Sequence, residues 1–197
     1  PKTPKTDPAF KADIAKSANP WTHLDFYNNP KNFTFAIVSD RTGYFRPGIF
    51  NQAVEKLNLL LPEFVLSVGD LIEGNQPTVK GTAEQWDEFD CMVNKLKMPF
   101  FYVPGNHDHA HWDSLRINWQ KRLGRSYYYF IYHNTLFLCL NSEENHVHDI
   151  SPDQIDYFAQ VLKKHKNVRW TNIFLHNPPN VGSELPQFTR LEKLLAD

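Results

Sequence analysis

Polar residues that can bind metal ions follow four apolar segments of strand length along the chain. Their carboxylate, amide and imidazole groups form a donor set that suits Mn, Fe or Zn better than a metal that prefers thiolates. In an open α/β sheet, ligands bind beyond the carboxyl ends of the strands, so four such loops can converge on one site. The four residues are Asp40, Asp70, Asn106 and His176.

Each of these residues also has an ordinary structural interpretation. An Asp or Asn after a strand is usually a turn former or a helix cap, and a single histidine is usually structural or solvated. Their recurrence at four successive strand ends, three of them beside glycine or proline turns, favours one shared site over four unrelated turns. Glycines at such places let the backbone turn sharply and approach a bound ion closely.

The elements that must position these residues alternate along the chain. Apolar runs of strand length alternate with segments whose apolar residues recur at helical spacing, and one pair of runs is separated by His133-Asn134, as in a tight hairpin. This order predicts an α/β fold with a mostly parallel sheet and some antiparallel pairing. Strands are predicted at 33–39, 64–68, 99–103, 127–132, 135–140 and 168–175, and helices at 47–61, 82–96, 111–123, 151–165 and 185–195.

The first 32 residues differ from the rest of the chain. They contain five of its 14 prolines, and their apolar positions follow no steady period. We therefore predict an irregular N-terminal arm over 1–32, held to the rest by Trp21 and Phe26. A single domain is predicted over 33–197.

The composition limits the class of protein. With 197 residues, 41% of them hydrophobic and 22% charged, the chain is neither disordered nor fibrous. A net charge of −1 provides no overall positive field, which argues against a nucleic-acid partner. No run approaches ~18 apolar residues, so no transmembrane segment is predicted. Periplasmic, secreted and cytoplasmic locations are all compatible with the sequence, and the oligomeric state is left open.

The motifs at these strand ends resemble those of the calcineurin-like metallophosphoesterases. Gly-Asn-His-Asp after an apolar strand, with an upstream Gly-Asp, is a specific combination, whereas either part alone is weak. The segments Ser39–Gly43 and Gly69–Gly74 are similar to those of a bacterial branch of the family. The resemblance covers about 33–179 and rests on Asp40, Gly69-Asp70, Gly105-Asn106-His107-Asp108 and His176.

The resemblance implies a four-layer α/β/β/α sandwich and a binuclear metal site. Asp70 would bridge both ions, Asp40 would bind one of them, and Asn106 and His176 would bind the other. Of the two candidate catalytic residues, His107 would face the leaving-group oxygen and Asp108 would brace its loop. The implied activity is hydrolysis of a phosphate monoester or diester by a metal-bound hydroxide, on a phosphorylated small molecule or a phosphodiester.

Two further residues are candidates for substrate contact. Arg41 lies beside the predicted ions and could hold phosphate in a bidentate manner, or it could form a surface salt bridge. His109 could contact substrate or metal, or it could be a solvated loop residue. His111, two residues further on, is predicted to open the next helix.

Two departures from the family pattern lead to a second hypothesis. Thr42 stands where the family has a metal-binding histidine, and no Gly-His-x-His segment follows His176 before Asp197. These departures predict a fold that is incomplete at its C-terminus and a weakened binuclear site. The alternative function is therefore a non-catalytic binding or scaffold protein of the same fold.

Overall fold

The computed structural model describes residues 9–27, 32–44, 46–178 and 186–196. Strands and helices alternate through most of this part of the chain. The strands are β1 (Phe10–Ala12), β2 (Phe35–Val38), β3 (Phe64–Ser67), β4 (Phe100–Phe101), β5 (Tyr128–Tyr132), β6 (Thr135–Cys139) and β7 (Trp170–Phe174). The helices are α1 (Ile49–Leu60), α2 (Val79–Val93), α3 (Asn106–His109), α4 (Asp113–Leu123), α5 (Pro152–Lys164) and α6 (Pro186–Ala196).

The strands form two sheets that differ in strand direction. One sheet is parallel, with the order β2-β3-β4. The other has the order β1-β5-β6-β7, in which β5 pairs antiparallel with β1 and β6, and β7 runs parallel to β6. The mixture of parallel and antiparallel pairing agrees with the sequence prediction. Within the described residues, no helix is long and apolar enough to cross a bilayer.

Three apolar clusters separate four layers. Aromatic side chains fill the space between the two sheets, where Phe64, Phe101 and Phe130 are fully buried. The outer face of the parallel sheet packs against α1, α2 and α4, and the outer face of the mixed sheet packs against α5 and α6. The predicted four-layer α/β/β/α sandwich is therefore confirmed.

Several element boundaries differ from the predicted ones for local reasons. Helix α2 begins three residues early, because the Thr78 side chain accepts a hydrogen bond from the Gly81 amide and caps the helix there. The predicted helix over 111–123 begins two residues later, as α4, and a short helix that was not predicted, α3, precedes it. His111 lies between α3 and α4 rather than at a helix start. The tight turn at His133-Asn134 is confirmed, since both residues have positive φ.

The predicted irregular arm contributes a strand. Phe10 pairs with Tyr132 across β1 and β5, and Phe26 stacks on Tyr132 at 4.7 Å between ring centroids. Trp21 packs 5.9 Å from Phe101, so the predicted anchoring by Trp21 and Phe26 is confirmed. A three-residue strand is too short to give a clear alternation, which is why the sequence pattern missed β1.

The loops that follow β2, β3, β4 and β7 meet at one edge of the sandwich. Gly69 has a φ of 98°, and a Cβ at that position would lie 2.6 Å from the Gly105 Cα and 2.8 Å from the His176 Nδ1. Only glycine combines this backbone conformation with such a close approach. Three of the four loops therefore come together around Gly69.

Hydrogen bonds to the Asp108 side chain join two of these loops, those after β3 and β4. Its Oδ1 accepts hydrogen bonds from the Leu71 and Ile72 amides at 2.9 and 3.2 Å, and its Oδ2 accepts one from the Gly105 amide at 2.9 Å. The side chain is fully buried. Burial raises the pKa of Asp108 to about 7, with a further contribution from the negative charge of Asp70, and the three amide bonds act in the opposite direction.

We predict that Asp108 titrates near neutrality in the metal-free protein. Because its folded pKa lies above the ordinary value of 3.8, the folded state binds more protons than the unfolded state between the two values. Its contribution to the free energy of unfolding is therefore largest at low pH and is lost as pH rises from about 4 to 7. A ¹³C NMR titration of the carboxyl groups should give a midpoint near 7 for Asp108. A midpoint below 4 for Asp108 would contradict this prediction.

Candidate metal centre

Asp40, Asp70 and His176 form a compact group at the shared edge. One potential ligand atom from each lies within 4.8 Å of the others. Asp70 is buried, His176 is half-buried and Asp40 is exposed, so the group reaches from the interior to solvent. The structure thus brings together the three charged or imidazole candidates that the sequence placed at the ends of β2, β3 and β7.

The backbone conformation at Asp40 and Asp70 orients both carboxylates. Asp40 and Asp70 each follow a strand with positive φ, 51° and 58°, an uncommon conformation that turns the chain sharply. The Asp40 amide donates to the Gly69 carbonyl at 3.1 Å, which joins the two loops. The Ser39 hydroxyl donates to Asp40 Oδ2, and Asp70 Oδ1 accepts the His107 amide at 3.1 Å. The Asp40 carboxylate is therefore oriented by its neighbour in the chain, and the Asp70 carboxylate by a residue of the loop after β4.

His176 presents a lone pair to the group. Its Nδ1 lies 2.8 Å from the Val68 carbonyl oxygen, which can only accept, so Nδ1 carries the proton. The other ring nitrogen, Nε2, lies 3.0 Å from Asn106 Oδ1 and 3.5 Å from Asp70 Oδ2, and it is the nitrogen that the ring protonated only at Nδ1 would offer to an ion. A histidine that donates one ring nitrogen to a carbonyl and offers the other is the usual form of a metal-binding histidine.

The Asn106 side chain also lies beside this group. Its Oδ1 faces His176, while its Nδ2 lies 3.2 Å from the His111 Nε2. Amide oxygen, carboxylate oxygen and imidazole nitrogen thus converge, and a cation bound among them would stabilise the arrangement. The donors are oxygen and nitrogen only, which fits Mn, Fe or Zn. The residues present fit a divalent ion.

His107 stands at the open side of the group. Its Nδ1 lies 2.6 Å from the Glu73 carbonyl oxygen and therefore carries a proton, which leaves Nε2 to face outward, 4.0 Å from Asp70 Oδ2. The side chain is 28% exposed. An imidazole held at one nitrogen and open at the other is suited to proton transfer.

The Arg41 guanidinium contacts groups of the protein itself, among them two residues of helix α2. It donates to the Leu71 carbonyl at 2.9 Å, pairs with Glu88 at 2.5 Å and lies 5.8 Å from the centre of the Phe89 ring. The side chain is 5% exposed. The structure thus favours the salt-bridge alternative for Arg41, with an arginine that is buried rather than on the surface.

The structure also does not bring His109 to the group. It is buried, its Nδ1 lies 2.9 Å from the Glu143 carbonyl oxygen, and its ring packs edge-on against Trp119. Burial lowers the pKa of His109, which keeps the ring neutral. Neither a substrate contact nor a solvated loop position agrees with this placement, and we leave His109 out of the site.

Thr42 has a structural position. Its hydroxyl lies 3.0 Å from the Asp70 carbonyl and 2.9 Å from the Ile72 carbonyl, and the residue is buried. The single hydroxyl proton is shared between these two acceptors. Thr42 therefore joins the loops after β2 and β3, where the related family places a ligand.

Two residues near the group were missed by the sequence reasoning. Glu143 is fully buried, accepts hydrogen bonds from Asn177 Nδ2 at 2.5 Å and the Ser142 hydroxyl at 2.9 Å, and so holds the residue next to His176. Burial raises the pKa of Glu143, and these hydrogen bonds oppose the shift. Its only sequence signal is a pair of acidic residues after β6, which resembles an ordinary loop. His111 is the other missed residue.

Comparison with known proteins shows similarity in sequence to one family and in fold to solved phosphatases. A family model described as calcineurin-like phosphoesterase matches residues 22–197. Similar solved structures include a dimetal phosphatase from Danio rerio, with a TM-score of 0.62, 13% identity and coverage of 83% of this chain and 77% of that chain. Another is the purple acid phosphatase PPD1 from yellow lupin (Lupinus luteus) seeds, with a TM-score of 0.59, 17% identity and coverage of 76% and 31%.

These structural likenesses concern the fold, because both identities are low. No curated protein sequence matches the chain. The family match, in contrast, spans most of the chain and includes each strand end that contributes to the group. The chain therefore belongs to the calcineurin-like phosphoesterase family, a family of metal-dependent hydrolases that act on phosphoric ester bonds.

Proposed function

We propose that this protein hydrolyses a phosphate monoester or diester with divalent ions held by Asp40, Asp70, Asn106 and His176. The observation that supports it most strongly is the approach of Asn106 Oδ1 and Asp70 Oδ2 to His176 Nε2, at 3.0 and 3.5 Å. When His176 is protonated only at Nδ1, these three atoms are all acceptors, and a shared cation would offset their mutual repulsion. Asp70 is central, because it lies near both Asp40 and His176.

Hydrogen bonds within the protein orient the proposed ligands before an ion binds. When bound, divalent ions at such a centre supply polarisation of a phosphoryl group and acidification of water. Asp70 is held by the His107 amide, and His176 is held by the Val68 carbonyl, so both ligands keep their orientation before any ion arrives. This preorganisation reduces the rearrangement that binding would otherwise require.

His107 is proposed to protonate the leaving-group oxygen. Its Nδ1 proton is held by Glu73, so only Nε2 can exchange a proton with a substrate at the open side of the group. A positioned imidazole of this kind contributes about 10²–10⁴-fold to proton-transfer steps. Asp108 takes no part in proton transfer in this account, because its carboxylate is enclosed by three amides.

A cleft beside the group offers room for the organic part of the ester. It has a volume of about 640 Å³ and lies between the end of β2 and the start of α1. Asp40 and Thr42 form its inner end, and Val38, Phe50 and Ala53 give it apolar walls. We therefore expect an ester whose organic group is partly apolar.

One observation favours the alternative of a binding protein that does not turn over substrate. The Thr42 hydroxyl is engaged by two backbone carbonyls, which leaves Asp40 with few neighbours able to complete a site for a second ion. A phosphoester would then bind at a single ion without being cleaved. Turnover of a phosphodiester in the presence of Mn²⁺ separates the two functions.

We predict that Asp70→Asn abolishes Mn²⁺ binding and hydrolysis together. The substitution removes the negative charge shared by the proposed ligand set, and loss of a ligand at such a centre costs well over ~10-fold in metal affinity. Mn²⁺ binding is measured by titration calorimetry, and hydrolysis with bis(p-nitrophenyl) phosphate. Asp153→Asn, an exposed carboxylate in the first turn of α5, is the matched control. Undiminished Mn²⁺ binding by Asp70→Asn would show that the ligand set is wrong.

The role of His107 predicts a dependence on the leaving group. An alkoxide needs a proton when it departs, whereas a nitrophenolate does not, so His107→Ala should slow an alkyl phosphoester by about 100-fold or more. The same variant should slow a nitrophenyl ester much less. Rates are compared at saturating Mn²⁺, so that metal loss is not measured instead. Equal losses on both esters would refute proton donation by His107.

A further inference from the structure

His111 lies in the short connection between α3 and α4 and is exposed to solvent. Its Nε2 is 3.2 Å from Asn106 Nδ2, and its ring meets the His107 ring edge-on at 5.8 Å between centroids. It therefore borders both a proposed ligand and the proposed proton donor. Neither the predicted ligand set nor the predicted catalytic residues include it.

The contact matters because the Asn106 amide has two chemically different ends. The oxygen accepts hydrogen bonds and can bind a cation, whereas the NH₂ group donates and cannot. The described hydrogen bonds of this side chain reach one histidine at each end, His176 at Oδ1 and His111 at Nδ2. Rotation of the amide by 180° would exchange the two ends.

In the rotated orientation, the Asn106 oxygen would no longer face the proposed metal centre. The NH₂ group would donate to His176 Nε2, because that nitrogen has no proton of its own, and would occupy the lone pair offered to the ion. The amide oxygen would then face His111. An acceptor at His111 Nε2 favours the productive orientation, because only the NH₂ end can satisfy it.

We infer that His111 is a positioning residue, whose Nε2 accepts a hydrogen bond from Asn106 and thereby turns the amide oxygen toward the metal centre. The inference rests on the proposed function, since it takes Asn106 as a ligand. His111 acts through Asn106 and does not itself bind the ion. Partners of this kind commonly change metal affinity by 10–100-fold when they are removed.

The test compares two substitutions of similar size. His111→Leu removes the acceptor, and His111→Gln keeps one, because the glutamine Oε1 can take the place of the imidazole Nε2. Titration calorimetry with MnCl₂ should show that His111→Leu weakens Mn²⁺ binding by at least about tenfold, while His111→Gln stays close to the wild type. His146→Leu, an exposed histidine in the loop before α5, is the control and should bind as the wild type does.

A measurement on the metal-free protein tests the hydrogen bond itself. NMR of the ¹⁵N-labelled histidine side chains should show that the His176 Nε2 resonance shifts in His111→Leu, because the rotated amide donates to that nitrogen, and stays at its wild-type position in His111→Gln. Thermal unfolding of the metal-free variants should be unchanged, because His111 is exposed. A merely structural role would lower the unfolding temperature and would not be rescued by glutamine.

The results separate failure of this inference from failure of the proposed function. Tight Mn²⁺ binding by His111→Leu, with an unchanged His176 Nε2 resonance, would overturn the role of His111 while the wild type still binds metal. Absence of Mn²⁺ binding by the wild-type protein would instead overturn the proposed function and, with it, the metal part of the inference. The NMR measurement would then still decide whether His111 orients Asn106.

Discussion

The three hydrogen bonds that Asp108 accepts from Leu71, Ile72 and Gly105 are the interaction on which the rest of the edge depends. They join the loop after β3 to the loop after β4, so Asp70 and Asn106 are brought to face each other before any ligand is present. A buried carboxylate is costly unless it is fully hydrogen-bonded, and here three amides offset part of that cost. This interaction fixes the spacing of the candidate ligands.

The four-layer core makes that edge rigid. Aromatic rings from both sheets pack between them, and the helices cover the outer faces, so the strand ends cannot shift independently. On this support the loops can hold an arrangement that is unfavourable by itself, with the acceptor atoms of Asp70, Asn106 and His176 close together. A protein interior that keeps such groups together without a cation gives up stability at that point, which is common at functional sites.

The sequence predicted the alternation of strands and helices and the ligand candidates because both follow from local patterns, whereas the four layers were implied by the resemblance to the family. Apolar runs marked the strands, and polar residues after them marked the shared edge. It could not predict which partners a long side chain reaches in the folded protein. Arg41 appears available for phosphate in the sequence, yet it pairs with Glu88 on another element, and His109 lies buried against Trp119. The position of His111 beside Asn106 likewise depends on where α3 ends and α4 begins, a boundary that the helical period did not resolve.

The central claim is that Asp70, Asn106 and His176 form a cation site. The most direct measurement is an anomalous difference map from crystals of the protein grown with MnCl₂, recorded where Mn scatters anomalously. Our account predicts a strong peak bounded by Asp70 Oδ2, Asn106 Oδ1 and His176 Nε2. A map with no peak among these atoms, or with Mn²⁺ bound only elsewhere on the protein, would contradict it.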